Sequence, residues 1–402
     1  MDLLDKFDNV RKQRQSVLNT GVDPFHVPVE TVYSPTRARI NGQEVILAGT
    51  NNYLGLTFDE ACCQAAHEAL DTFGTGTTGS PLANGSYSEH RALEREFAEF
   101  FGKQHGLLFS TGYQANLGIL ATLAGPGDVV LLDSDCHASI YDGCQLSGAD
   151  IVRFRHNDPD SLDKRLRRLG DRTSRTLIVV EGLYSMLGDT APLGRIAELK
   201  RDHGAYLMVD EAHSLGVYGA TGQGLAEALG VGDAVDFIVG TFSKSLAGVG
   251  GFCVSDRAIL DMLRYASRPY IFTASSSPAV VAGVRAALRM VRERPELRRR
   301  LWDNAEQLYR TLAEQGYTLG PEVSPVIPVV LATPAQALEL WQGLFERGVY
   351  ANLVLPPAAP EGKALLRCSM SAAHTPEEIR WIGEAFADLK GNAVAVAAAD
   401  AP

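Results

Sequence analysis

The 402-residue sequence lacks the marks of several protein classes. Its six cysteines (62, 63, 136, 144, 253 and 368) show no Cys-x-x-Cys spacing, so a zinc site is not expected. Adjacent Cys62 and Cys63, and Cys253 within an apolar run, read as small core residues in a reducing cytoplasm. No block of basic residues occurs, and the net charge is −11, which argues against a nucleic-acid partner. No apolar run reaches the roughly 20 residues that span a bilayer. The start, Met1-Asp2-Leu3-Leu4-Asp5-Lys6, has no basic region followed by an apolar stretch, so no secretory signal is expected. Internal repeats are absent too. What is abundant is 46% hydrophobic residues and 39 glycines, the composition of a globular α/β enzyme with a large core.

Three regions follow from the pattern. Residues 1–50 read as an arm. An amphipathic helix over 1–20 is broken by Gly21 to Pro28, and a hairpin then turns at Asn41-Gly42. Residues 51–277 alternate apolar strands with helices. The strands fall at 106–110, 129–133, 151–154, 176–181, 206–210, 237–240 and 251–254. Such alternation predicts a mostly parallel seven-stranded sheet covered on both faces, with ligands at the carboxyl ends of its strands. Residues 264–277 read as irregular and polar. A long helix from Pro278, kinked near Pro295, opens a smaller α+β region over 278–402, whose residues 391–402 are expected to fray.

Chemistry is concentrated where apolar strands end. Lys244 lies between two apolar runs, beside Thr241, Ser243 and the glycines 248, 250 and 251. It is either a loop cation or an amine that forms a Schiff base with pyridoxal phosphate (PLP), with the hydroxyls on its phosphate. The glycines would let backbone approach something planar or bulky. Asp210 ends the strand over 206–210 and either caps a helix or pairs with a cation such as a pyridinium nitrogen. At ~4 Å and an effective dielectric of ~20 that pair is worth about 4 kcal/mol, or roughly three pKa units. His213 is either a satisfied core histidine or a contact to a ring hydroxyl. His137, in Asp133-Ser134-Asp135-Cys136-His137, either starts a helix or stacks on a flat ring. The turn Ser110-Thr111-Gly112-Tyr113 offers helix-start N–H groups to a phosphate. Ser185 follows another strand and could bond a cofactor hydroxyl. Gly74 to Asn84 is either a flexible loop or an ordered binding loop. Arg367, a charge inside an apolar strand, must meet an anion, either a structural carboxylate or a substrate.

Six stretches in order carry a resemblance: NNYLGL (51–56), STGYQANL (110–117), DSDCHASIYDG (133–143), EGLYSMLGD (181–189), VDEAHSLGVYG (209–219) and GTFSKSLAGVGGF (240–252). Together they resemble the fold-type I PLP enzymes (aspartate aminotransferase-like) and, among them, the α-oxoamine synthases, which condense an amino acid with an acyl thioester and release CO2. LLDKFD with DPF near the start, IVRFRHND (151–158) and RPYIFTAS (268–275) look most like the soluble bacterial serine palmitoyltransferases.

The resemblance implies PLP on Lys244, with Asp210 at the pyridine nitrogen and His137 stacked on the ring. It places His213 and Ser185 at the ring hydroxyl, and Gly112, Tyr113, Thr241 and Ser243 at the phosphate. Asn52 and Arg367 would face substrate, and Thr273 and Ala274 would reach a neighbouring subunit's site, so a homodimer is implied. The implied substrates are L-serine and a long-chain acyl thioester, on coenzyme A or a carrier protein, with peripheral membrane contact left open. The same resemblance also covers 8-amino-7-oxononanoate synthase, glycine C-acetyltransferase and catalytically silent partner subunits. Lys244 together with Asp210 and His137 argues against the silent form. Two positions depart from relatives that carry arginine there: Leu355 before Pro356-Pro357, and Pro81 after Gly79-Ser80.

Overall fold

A computed structural model describes residues 2–18, 23–356, 358–359 and 362–399. Gly21 and Pro357 lie outside the described residues. Contacts divide the chain into two compact units, residues 51–303 and residues 1–50 with 304–402.

The element order begins with α1 (Asp8–Leu18) and the strands β1 (Val29–Ser34), β2 (Arg37–Ile40) and β3 (Gln43–Leu47). Asn41 (φ 50°) and Gly42 (φ 74°) supply the two left-handed residues that a tight hairpin between β2 and β3 demands. Helices α2 (Glu60–Phe73) and α3 (Ser88–Phe100) follow. The Asp59 carboxylate caps α2, accepting from the N–H groups of Ala61 and Cys62.

Then come β4 (His105–Phe109), α4 (Gly112–Leu123), β5 (Val129–Asp133), α5 (Ala138–Ser147), β6 (Asp150–Phe154), α6 (Pro159–Leu169), β7 (Thr176–Glu181), α7 (Leu193–His203), β8 (Tyr206–Asp210), a short α8 (Leu225–Ala228), β9 (Phe237–Thr241) and β10 (Gly251–Ser255). These seven strands form one sheet in the order β4-β10-β9-β8-β7-β5-β6. All pairs are parallel except those of β10, which runs antiparallel to both β9 and β4. The expected fold is therefore present. Val130, Leu132, Val179 and Met208 are fully buried in its core, packed with Ile119 and Ile140 from α4 and α5.

The segment after Ser255 is more ordered than its polar sequence suggests. It holds α9 (Ile259–Ala266) and a single turn, α10 (Arg268–Ile271). α9 carries Leu260 and Leu263 on one buried face, an amphipathic spacing too short to stand out in the sequence. The long helix expected from Pro278 is two helices, α11 (Pro278–Glu293) and α12 (Pro295–Glu314), broken at Arg294 as Pro295 requires. α11 packs on α2 within the larger unit, and the division falls at 303/304 rather than at 277/278.

The remaining elements are β11 (Val326–Leu331), α13 (Pro334–Glu346), β12 (Val349–Tyr350), β13 (Asn352–Val354), β14 (Ala364–Ser369) and α14 (Pro376–Ala399). β11, β14 and β13 form a three-stranded sheet, while β12 pairs in parallel with β3. That pairing joins the arm to the C-terminal region in one unit and explains why residues 1–50 do not stand alone. α14 extends to Ala399, past Leu389, because its alanine-rich end favours helix over the frayed tail expected there. Among the described residues no helix is long and apolar enough to cross a membrane.

Candidate active site

Every chemically marked strand end reaches the same edge of the large sheet. Parallel registry sets Glu181 beside Asp210 and Asp210 beside Val239, just before Thr241. Antiparallel β10 begins at this edge, with Gly251 opposite both Thr241 and Phe109. The turns after β4, β5, β7, β8 and β9 thus converge on a cavity of about 270 Å³. Lys244, Asp210, His137 and His213 line it, as do Gly112, Tyr113, Thr241 and Ser243. All eight were singled out in the sequence. Asn116, Ser139 and Glu181 also line it and carried no assigned role there.

Asp210 is 5% exposed and held on both sides. Its Oδ1 accepts the Ala212 N–H at 2.9 Å, and its Oδ2 accepts the Asn116 amide at 2.8 Å. Burial, outweighing the nearby Asp210 charge, lowers the pKa of His137, and Lys244 lowers it further. The ring is therefore neutral at physiological pH, and its Nδ1 lies 2.7 Å from the Ser139 hydroxyl. His213 Nδ1 meets the hydroxyl of fully buried Tyr53 at 2.7 Å, so NNYLGL supplies a support for that imidazole that the sequence reading missed. Glu181 accepts the His137 backbone N–H. Burial first, then the Asp210 charge, pushes its carboxyl well above the usual range.

The start of α4 presents backbone N–H groups to the cavity edge. Thr111 caps α4 by accepting the Gln114 N–H, and Ala115 donates back to the Thr111 carbonyl. The N–H groups of Gly112 and Tyr113 belong to the first turn, where no intrahelical acceptor exists. The Thr241 hydroxyl donates to the Gly250 carbonyl at 3.0 Å and lies 2.9 Å from that of Ser243. The glycines beside Lys244 let backbone approach flat aromatic rings. A Cβ on Gly250 (φ 153°) would meet the Phe242 ring at 2.3 Å, and one on Gly240 would meet the Phe252 ring at 2.6 Å. A Cβ on Gly251 would come within 2.7 Å of Gly112 Cα, so Gly251 lets the turn at the start of α4 pack closely against β10.

Other singled-out residues lie outside this lining. Ser185 sits partly exposed in the turn after β7. Asn52 is buried, donating to Thr57 Oγ1 at 2.8 Å while its Oδ1 has no hydrogen-bond partner. The Thr273 hydroxyl accepts from Gln114 at 3.1 Å and the Ala274 carbonyl accepts from Ser110, within this chain. Arg367 is buried on the central strand of the three-stranded sheet, where it donates to Ser369 Oγ at 2.7 Å. The glycine- and threonine-rich loop is held by Thr77 and Ser275, whose hydroxyls are 2.7 Å apart.

The donor set fits PLP. It offers an amine, a buried carboxylate braced by an amide, a neutral imidazole and first-turn N–H groups around one cavity. Orphaned Asn116 Oδ1 adds an unpaired acceptor to its wall.

Comparisons with known proteins agree with the geometry. The profile of the family "Aminotransferase class I and II" matches residues 43–386. Serine palmitoyltransferase of Caulobacter vibrioides is 54% identical, covering 97% of this chain and 96% of the relative. That of Sphingomonas paucimobilis is 49% identical over 98% and 94%. A solved Sphingomonas wittichii serine palmitoyltransferase superposes with a TM-score of 0.95 at 50% identity, covering 98% of this chain and 100% of that one. A structure described as SPT with a PLP internal aldimine gives the same TM-score at 48% identity and the same coverage. The chain belongs to the aminotransferase class I and II family and, within it, to the group that holds the bacterial serine palmitoyltransferases.

Proposed function

We propose that this chain uses PLP to condense L-serine with a long-chain acyl thioester such as palmitoyl-CoA, releasing CO2 and the free thiol and giving 3-oxosphinganine. The observation that carries this reading is the meeting of Lys244, Asp210, His137 and His213, from the ends of three strands, in one cavity. PLP, when bound, supplies an electron sink for the pair left on the serine Cα.

The chain's residues do the rest. Lys244 Nζ would hold the cofactor and, once displaced by serine, remove the Cα proton. Asp210, braced by Asn116, keeps the ring nitrogen protonated. His137 would cover the ring, and His213 and Ser185 would hold its hydroxyl. The Gly112 and Tyr113 N–H groups, with Thr241 and Ser243, hold the phosphate. Arg367 would hold the serine carboxylate, and Asn52 would face the substrate. Tyr265 (65% exposed), just before the 268–275 stretch, and Phe272 (73% exposed), within it, support a homodimer face through which Thr273 and Ala274 would complete a partner's site. We place the reaction in the cytoplasm. In balance, Cα gains the acyl carbon, the thiolate leaves, the carboxylate departs as CO2, and Cα takes up one proton.

A test is the visible spectrum of the purified protein with serine, alanine or glycine, followed by product identification by mass. A response to serine alone, and 3-oxosphinganine as product, are expected. An equal response to alanine would favour 8-amino-7-oxononanoate synthesis instead.

A further inference from the structure

Asn116 is the one asparagine in α4, and it is 3% exposed. Its Nδ2 donates to Asp210 Oδ2 at 2.8 Å and to the Ser139 hydroxyl at 2.9 Å. The end of the amide that faces Asp210 is fixed, because a carboxylate only accepts. Both amide hydrogens are thereby engaged. The Ser139 oxygen, which accepts one of them, has a single hydrogen to give, and His137 Nδ1 lies 2.7 Å away. Nδ1 also accepts the backbone N–H of Ser139 at 3.3 Å. Two donors aimed at one ring nitrogen leave no room for a proton on it.

We propose that Asn116 and Ser139 are positioning residues: a directed chain of hydrogen bonds from the Asn116 amide through the Ser139 hydroxyl fixes His137 as the tautomer with its proton on Nε2 and ties that ring to the Asp210 carboxylate. The far edge of the imidazole is then a donor, suited to a carboxylate and not to a second cation. The orphaned Asn116 Oδ1 marks the cost, since a buried acceptor without a partner destabilises a fold that an apolar side chain would not. Asn116 bridges the group that holds the ring nitrogen and the group that covers the ring face, so the two cannot shift independently. The consequence for serine rests on the function proposed above; the tautomer does not.

The test is nitrogen–proton correlation NMR on histidine-labelled protein, with and without bound PLP, the His137 signals being identified by their loss in His137→Gln. Native protein should show Nε2 protonated and Nδ1 bare in both forms. Ser139→Ala removes one donor, and the Nδ1-protonated form should rise about tenfold, in line with one lost hydrogen bond. KM for serine should rise about tenfold with kcat changed less than about threefold, and Ser139→Thr should restore both. Native His137 protonated on Nδ1 or on both nitrogens would overturn the proposal, as would a tautomer that Ser139→Ala leaves unchanged. Should Ser139→Ala not fold, the native spectrum alone decides. A protein that binds no PLP overturns the functional reading instead, while the cofactor-free spectrum still decides the tautomer.

Discussion

Two histidines stand just beyond neighbouring strands, His137 after β5 and His156 after β6, and their pKa values are shifted in opposite directions. His156 meets a carboxylate at each ring nitrogen, Asp133 at 2.8 Å on Nδ1 and Asp189 at 2.7 Å on Nε2. Burial opposes its charge, but the two hydrogen-bonded carboxylates prevail and raise its pKa to about 10. It is a cation that clamps the turn leading to His137 onto the turn that carries Ser185. Asp133, Asp135 and His156 are also close enough to suggest a metal group, yet an imidazolium offers no lone pair to a metal. His137, buried with a hydroxyl donor and a lysine nearby, is neutral. The same side chain is a structural clamp in one place and a cavity wall in the next, and what decides is whether its nitrogens face acceptors or donors.

This contrast predicts that changes in the cavity alter chemistry and leave stability alone, while changes at the clamp do the reverse. The largest effect is expected from Lys244→Ala, which should lower turnover by roughly 10⁴-fold or more with little change in melting temperature. A cavity variant that melts much earlier would blur the distinction. Next, His156→Gln leaves two buried carboxylates without their cation and should cost about 3–5 kcal/mol in denaturant unfolding. Turnover per folded molecule should hold within about threefold, and a collapse of turnover in fully folded variant would make the clamp part of the chemistry.

The pH dependence sharpens the same point. A histidine with a raised folded pKa stabilises fully below its unfolded value, about 6.5, and loses that contribution as pH climbs through the folded value of about 10. The stability gap between native protein and His156→Gln should therefore be widest below about pH 6.5 and close toward about pH 10. A gap that is flat with pH contradicts the clamp. The smallest effect is Gly250→Ala, which drives a methyl into Phe242 at a left-handed φ and should destabilise by about 1–3 kcal/mol.

Much of the fold was legible because the strands of the large sheet are uninterrupted apolar runs that end in polar turns. Lys244, Asp210 and His137 stood out for the same reason, as charged or polar residues where an apolar run stops. Asn116 did not, because it lies inside a helix, where a single polar residue resembles a surface position until Asp210 and Ser139 appear across from it. Tyr53 needed its contact with His213, more than a hundred residues away in the chain. The glycines were read as places where backbone approaches something planar or bulky, and the directions a Cβ would take there are filled by the rings of Phe242 and Phe252. β12 is two residues long, too short for any pattern, so the tie between the arm and the C-terminal region was invisible before the structure.

The central claim is that Lys244 carries the cofactor. Borohydride reduction of the purified, PLP-loaded protein, followed by proteolysis and mass spectrometry, tests it most directly. The account predicts a single pyridoxyl adduct, on the peptide that contains Lys244. An adduct on another lysine, or none from protein shown to be folded and loaded, would contradict it.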